Sequence, residues 1–246
     1  MHNAALAEVG LGAWRYQLLP VPPELFDETV TALPGAGFRG ANVTIPHKEA
    51  ALRLAGGATP RARAIGAANT LTFDDDGTIE ADNTDAPALI AALPFAPAGC
   101  TALVLGAGGS ARAAVWALLD AGAAEVRVWN RTRDRARALC SDLGGRPVDT
   151  AEPADLLVHC TSTGLDAGDW TFNQLPLSAD ALDNYQCVVD FVYKESGTPL
   201  AQAAQDRSIP VVDGFELLVG QGTLSFERFT GLPAPAETMR AAARRG

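Results

Sequence analysis

The chain has 246 residues, 48% of them hydrophobic and 20% charged, which suits a soluble globular protein built as one large α/β domain or two modest ones. Its formal net charge of −10 and isoelectric point near 4.7 weigh against a nucleic-acid partner, whose phosphates would be repelled. An anionic ligand must therefore be met locally, by Arg, Lys or backbone N–H groups.

The longest uncharged stretch, residues 86–111, has the length of a membrane span. Pro87, Pro94 and Pro97, then Gly99, Gly106, Gly108 and Gly109, break it into short pieces, so no membrane partner is expected. No secretory signal is visible at Met1-His2-Asn3, and Cys100, Cys140, Cys160 and Cys187 lack C-x-x-C spacing. Reduced thiols in a cytoplasmic protein without a metal are expected.

In chain order, residues 3–9 read as a helix. Trp14, Tyr16 and Leu18 recur at period two and predict a strand. Pro22-Pro23 opens a helix through Leu33, with Leu25, Phe26, Val30 and Leu33 at helical spacing. Residues 38–45 read as a strand stopped by Pro46. Two further strands, 67–73 and 78–81, flank the hairpin signal Asp74-Asp75-Asp76-Gly77. A short helix ends near Leu93, and the Pro/Gly-rich stretch 94–99 marks a domain joint.

Beyond the joint the pattern alternates cleanly. Strands are predicted at 101–105 and 125–129, helices at 109–121 and 133–143, and short apolar strands at 156–160, 187–190 and 209–212. Such alternation implies a mostly parallel sheet with helices on both faces. Helices over 216–229 and 236–243 end the chain.

The run Gly106-Ala107-Gly108-Gly109-Ser110-Ala111 lies between the strand at 101–105 and the helix at 109–121. It fits the dinucleotide fingerprint with Ala at the third glycine position. Gly106 permits the tight turn, and Gly108 lets a pyrophosphate approach the backbone and the helix N-terminus. A plain strand-to-helix turn is the alternative. At the next strand end stands Asn130-Arg131-Thr132-Arg133-Asp134-Arg135, with no carboxylate where NAD-binding folds place one. A guanidinium can hold a ribose 2′-phosphate, and cations at a helix N-terminus oppose the macrodipole unless an anion is near. NADP is favoured over NAD.

Three earlier segments carry concentrated polar chemistry: 42–48 (NVTIPHK), 66–70 (GAANT) and 82–85 (DNTD). The chain has only two lysines, Lys48 and Lys194, among 19 basic residues. A general acid/base cannot be Arg, which does not deprotonate, whereas Lys can serve. Lys48 therefore reads either as a proton donor or as an ordinary surface lysine after a strand, and composition alone leaves both open. Asp85 reads equally as the N-cap of the following helix.

Taken together, NVTIPHKEA, IGAANT, DNTDA, GAGGSARA, NRT with Arg135, VVDFVY, TPL and GFELLVGQG resemble, in this order and spacing, the shikimate dehydrogenase family. The resemblance implies a Rossmann-type doubly wound parallel sheet over 94–215, binding NADP. It implies a smaller mixed α/β substrate domain over 1–93, completed by helices from 216 to 246. The implied activity is NADPH-dependent, reversible reduction of 3-dehydroshikimate to shikimate, on the route to chorismate and the aromatic amino acids. Carried over position by position, Lys48 matches the catalytic lysine and Asp85 its carboxylate partner. Thr44, Asn69, Tyr193 and Gln221 match substrate contacts. Phe191, Gly214 and the loop at Thr161 match positions beside the nicotinamide. A monomer or homodimer is expected.

The sequence departs from the family pattern at its start. Met1-His2-Asn3-Ala4-Ala5-Leu6 resembles the helix that follows the family's first strand and serine-bearing loop, so that strand and both serines are expected to be absent. Losing two hydrogen bonds to a substrate carboxylate would weaken binding by ~3–6 kcal/mol. An internal methionine taken as the start, or an artificially imposed chain boundary, is the expected cause. Lesser departures are the loop His159-Cys160-Thr161-Ser162-Thr163-Gly164-Leu165, where the family carries an Asn-rich run, and Leu217 in place of Met. Two alternatives follow: a quinate/shikimate dehydrogenase using NAD, and a non-catalytic nucleotide-binding relative.

Overall fold

A computed structural model describes residues 1–164, 172–194 and 196–245; Leu165, in the loop noted above, lies outside them. The chain divides into two compact units, Met1–Thr84 with Val219–Gly246, and Asp85–Leu218. Among the described residues no helix is long and apolar enough to cross a membrane.

The first unit runs α1 (His2–Glu8), a 3-10 turn at Pro23–Leu25, α2 (Phe26–Ala32), β1 (Gly40–Asn42), α3 (Lys48–Leu54), β2 (Gly57–Ala58), α4 (Pro60–Ile65), β3 (Thr70–Phe73) and β4 (Ile79–Asp82). Its sheet has the order β1-β3-β4-β2, antiparallel except for the β2–β4 pair. The β3–β4 hairpin turns on the Asp74–Gly77 signal: the Thr78 N–H donates to Asp76 Oδ1 at 2.8 Å and Gly77 takes a φ of +85°. Phe26, Val30, Val43, Ala51, Leu71 and Phe73 form the core against this sheet.

The second unit contains α5 (Asp85–Ala92), β5 (Thr101–Leu105), α6 (Gly109–Asp120), β6 (Glu125–Trp129), α7 (Arg133–Leu143), β7 (Arg146–Pro147), β8 (Leu156–His159), β9 (Cys187–Asp190), α8 (Pro199–Asp206) and β10 (Val211–Val212). Its six strands, ordered β10-β9-β8-β5-β6-β7, are all parallel. This is the doubly wound arrangement anticipated from the alternating pattern. Successive residues of β5 feed opposite faces: Ala102 and Val104 join one core, Leu103 and Leu105 the other. A strand buried on both faces must be largely apolar, which is why β5, β8 and β9 read as nearly continuous hydrophobic runs. Burial pushes the Cys187 thiol on β9 up to about 11, so it behaves as packing rather than as a nucleophile. The last helices, α9 (Gly214–Thr230) and α10 (Ala236–Ala243), return the chain to the first unit.

Three expectations are corrected. Residues 14–18 form no strand: the polar groups of Tyr16 are taken by the Asn3 side chain, which accepts from its N–H at 2.7 Å and donates to its carbonyl at 2.9 Å. Trp14 and Tyr16 pack beside Leu6, Phe226 and Met239, so their period two reflects packing without pairing. The division between units falls at Thr84 and Asp85 rather than at the 94–99 joint, because α5 packs with the second unit through Leu89. Asp85 lies in the first turn of α5, inside the helix rather than at its cap. Helices α3, α4 and α8 were also unanticipated, although Thr59-Pro60 and Thr198-Pro199 are N-cap and first-turn signals: each threonine hydroxyl accepts a helix N–H, from Ala62 at 3.2 Å and Ala201 at 3.1 Å.

At the start of β6, beside the edge strand β7, Glu125 accepts from Arg127 and Arg146, each at 2.8 Å, and these guanidinium contacts hold its carboxyl down at about 2. A carboxylate whose folded pKa is depressed stabilises the fold above its unfolded value, and loses that contribution as pH falls toward its folded one. Glu125→Gln should therefore lower the urea midpoint modestly at pH 7, the pairs being solvent-screened. Parent and variant midpoints should converge between pH 4.5 and about 2. A difference that persists at the acid end would assign the effect to packing instead.

Candidate active site

In the first unit the polar segments noted in the sequence are folded together. Lys48 is the first residue of α3 and is buried, at 8% exposure. A lysine is rarely sequestered without a partner or a task. The start of α3 is fixed on two sides. The Lys48 carbonyl accepts from the Ala68 N–H at 2.8 Å, and the preceding His47 stacks on Phe26 at 4.4 Å while its Nε2–H donates to the Val21 carbonyl at 2.9 Å. Thr44 sits on the exposed turn between β1 and α3, its carbonyl accepting from the His47 N–H.

Asn69 lies directly before β3 and is buried, at 2% exposure. Its backbone ties Val43 to Asp82: the Val43 N–H donates to its carbonyl at 2.7 Å, and its own N–H donates to Asp82 at 3.1 Å. Its side-chain oxygen accepts from the Thr84 N–H at 2.7 Å and from the Thr70 and Thr84 hydroxyls at 3.1 Å each. An oxygen saturated this way leaves the amide nitrogen to face outward, and it donates to Gln221 Oε1 on α9 at 3.4 Å. Residues far apart in sequence thus present two amides side by side. Helix α9 is clamped below Gln221 by charge: Arg228 pairs with Glu80 at 2.7 Å and with the buried Asp82 at 3.2 Å. Asp82 also holds Arg61 at 2.7 Å and the Thr59 hydroxyl at 2.6 Å.

In the second unit the remaining candidates collect at the C-terminal edge of the parallel sheet, where open α/β sheets bind ligands. Gly106 ends β5 with a φ of +119°, and a Cβ there would stand 2.9 Å from the Cys160 carbonyl oxygen. Only glycine fits. Gly108 is exposed, and a Cβ on it would meet nothing within 4 Å, so space is open over the N-terminus of α6 that follows. Ala107, Gly109 and the buried Ser110 complete the turn. The positive end of a helix dipole, with room above it, suits a diphosphate.

After β6, the Asn130 side chain donates to the Thr132 carbonyl at 2.8 Å and shapes the turn into α7. Arg131, Thr132, Arg133 and Arg135 are all exposed. Arg133 pairs with Asp149 at 3.0 Å, whereas Arg131 and Arg135 make no ion pair among the described residues. Two exposed guanidiniums with no carboxylate paired to them, at the strand end where a dinucleotide's ribose is bound, fit a 2′-phosphate, and the residues present therefore suit NADP.

Phe191 follows β9, packs against the core and donates its N–H to the His159 carbonyl at 2.9 Å. Tyr193 is 36% exposed and tilted against Phe215, with ring centroids 6.4 Å apart. Gly214 opens α9, and a Cβ there would come within 2.4 Å of the Val192 carbonyl. Thr161 bonds to His159 through its hydroxyl at 2.6 Å.

The first unit thus holds Thr44, Lys48, Asn69 and Gln221, and the second holds Asp85 and the substrate candidate Tyr193 with all the cofactor candidates. Sequence reasoning missed the supporting groups, namely Asp82 with Arg61 and Arg228, and His159 with Asp190. A polar residue ending each of two adjacent apolar strands was the available signal for the latter pair.

Family models match the chain in three stretches. Residues 1–71 match the shikimate dehydrogenase substrate binding domain, residues 91–163 the shikimate / quinate 5-dehydrogenase family, and residues 214–244 the shikimate 5′-dehydrogenase C-terminal domain. The shikimate dehydrogenase (NADP(+)) of Dinoroseobacter shibae is 45% identical over 99% of this chain and 91% of its own length. That of Paramagnetospirillum magneticum is 41% identical over 98% and 91%. A crystal structure of shikimate 5-dehydrogenase from Thermus thermophilus, in complex with NADP(H) and shikimate, superposes with a TM-score of 0.86 at 38% identity, covering 99% of this chain and 92% of that one. With identity sustained over nearly the whole of both partners, this chain belongs to the shikimate dehydrogenase family.

Proposed function

We propose that the chain is an NADP-dependent oxidoreductase acting on a CH–OH group, catalysing the reversible reduction of 3-dehydroshikimate to shikimate in aromatic amino acid biosynthesis. The observation that carries this reading is the convergence of Lys48, Asn69 and Gln221 from distant segments into one unit, while the other unit presents a phosphate-accepting turn with arginines in place of an acid. A cytoplasmic monomer or homodimer is the accompanying expectation.

The chemistry asks little beyond what these side chains offer. NADPH, when bound, supplies a hydride to the ring carbonyl. Lys48 stabilises the charge that develops on the carbonyl oxygen and hands it a proton; in the reverse direction it takes the hydroxyl proton. Asp85 matches the carboxylate that the family pairs with its catalytic lysine, and a carboxylate in that role favours the charged ammonium. Asn69 and Gln221 offer paired donors and acceptors for ring hydroxyls, with Thr44 and Tyr193 as further contacts. Their demand for polar partners rejects substrates lacking those hydroxyls, since unpaired buried amides are costly. Gly106, Gly108, Ser110 and the arginines at 131, 133 and 135 hold the dinucleotide, with Thr161, Phe191 and Gly214 at its nicotinamide end.

Steady-state reduction of NADP and of NAD, with shikimate and with quinate, tests the reading. Shikimate with NADP should give the highest kcat/KM. Equal use of NAD would favour a quinate/shikimate dehydrogenase, and no turnover with any pair would favour the non-catalytic relative.

A further inference from the structure

Two buried residues of the second unit, His159 and Asp190, have no part in the steps above. His159 and Asp190 are register partners at the ends of the adjacent parallel strands β8 and β9, each with its side chain 1% exposed. His159 Nδ1 lies 2.9 Å from Asp190 Oδ1, and Nε2 lies 2.6 Å from Thr161 Oγ1. Asp190 is otherwise saturated, accepting from the Val192 N–H at 2.9 Å and from the Thr198 hydroxyl. Thr161 Oγ1 also accepts from the Thr163 N–H at 3.2 Å.

The directions of these bonds follow from the groups themselves. A carboxylate only accepts, so Nδ1 carries the ring hydrogen, and in this tautomer Nε2 is the acceptor of the Thr161 hydroxyl. The Thr161 hydroxyl therefore spends its proton on His159, and its oxygen is left with lone pairs alone. The backbone that carries this hydroxyl lies close to the glycine turn: the Thr161 N lies 3.3 Å, and the Cys160 carbonyl oxygen 2.9 Å, from where a Cβ on Gly106 would stand. A fixed acceptor at that place takes a donor, such as a ribose hydroxyl or the carboxamide N–H, and disfavours a phosphate oxygen.

We propose that His159 is a positioning residue for the cofactor: through the Asp190–His159–Thr161 chain it commits the Thr161 hydroxyl to act as a hydrogen-bond acceptor toward the nicotinamide-riboside end of NADP. The proposal rests on the cofactor reading given above and deepens it. It separates two tasks that a buried histidine could have. One is to satisfy Asp190, the other to aim Thr161.

Asparagine at 159 keeps a donor at the Nδ1 position for Asp190 but is too short to reach Thr161. Calorimetric titration of NADP into the parent, His159→Asn, Thr161→Val and the double variant distinguishes the tasks, with a thermal melt of each. His159→Asn and Thr161→Val should each raise Kd about tenfold, the worth of one hydrogen bond, and the double variant should bind no more weakly than either single. The melting temperature of His159→Asn should stay near the parent's, and its KM for NADP should rise without a matching fall in kcat. Parent-like NADP affinity in His159→Asn, or losses that multiply in the double variant, overturn the proposal. Should His159→Asn not fold, His159→Gln, which reaches Thr161 but not Asp190, replaces it: near-parent affinity then supports the aiming role, and an affinity loss as large as that of Thr161→Val overturns it. A parent chain that fails to bind NADP removes the cofactor reading itself, and this proposal with it.

Discussion

Lys48→Ala should reduce turnover of shikimate with NADP by about 10²–10⁴-fold, the usual worth of a positioned proton donor, while NADP affinity stays near the parent's. The separation is expected because Lys48 belongs to the first unit and the glycine turn to the second. Lys48→Arg is the sharper variant. It keeps a positive charge at the start of α3 but cannot release a proton at any accessible pH, so electrostatic stabilisation survives and proton transfer does not. If charge were the whole contribution, arginine would restore most of the rate; if proton transfer dominates, both variants fall together. Steady-state rates with NADP titrations and melts on all three proteins decide the matter. Turnover unchanged in Lys48→Ala would remove Lys48 from the mechanism.

How much of this could be read from the sequence differs between the two units, for a physical reason. In the second unit, strands β5 and β9 and helix α7 start and stop where their residue patterns indicated, because strands covered on both faces are nearly continuous apolar runs and the helix is long enough to show a period. The first unit offers no such signal. Its strands span two to four residues, and α3 and α4 span seven and six, too short for periodicity to accumulate. There the pattern of Trp14, Tyr16 and Leu18 misled, since alternation marks which side chains are buried and says nothing of whether a neighbouring strand exists. The site divides the same way. The glycine turn is local chemistry and was visible as such. The contact of Asn69 with Gln221, and the alignment of His159 with Asp190, depend on packing and strand register, which no spacing in the chain encodes.

The glycine turn supplies the second large effect. Gly106→Ala should cost about 1–3 kcal/mol of stability from its backbone conformation alone, because a φ of +119° lies where L side chains are strained. The added methyl would also press on backbone, standing 2.9 Å from the Cys160 oxygen and 3.0 Å from its carbonyl carbon, and backbone yields less readily than a side-chain tip. The turn and the 160–161 loop must move apart, and both belong to the proposed cofactor site, so NADP affinity should fall about tenfold or more alongside stability. Gly108→Ala is the control that separates these consequences. Its φ of −99° is ordinary and its methyl meets nothing within 4 Å, so the fold should melt near the parent temperature. The methyl would nevertheless occupy the open space over the N-terminus of α6 where the diphosphate is proposed to lie, and NADP should bind weakly. Melts and NADP titrations of the two variants should therefore give stability and affinity lost together at 106, and affinity lost alone at 108. Parent-like melting of Gly106→Ala would sink the strain argument, whereas parent-like NADP binding by Gly108→Ala would move the diphosphate away from this turn.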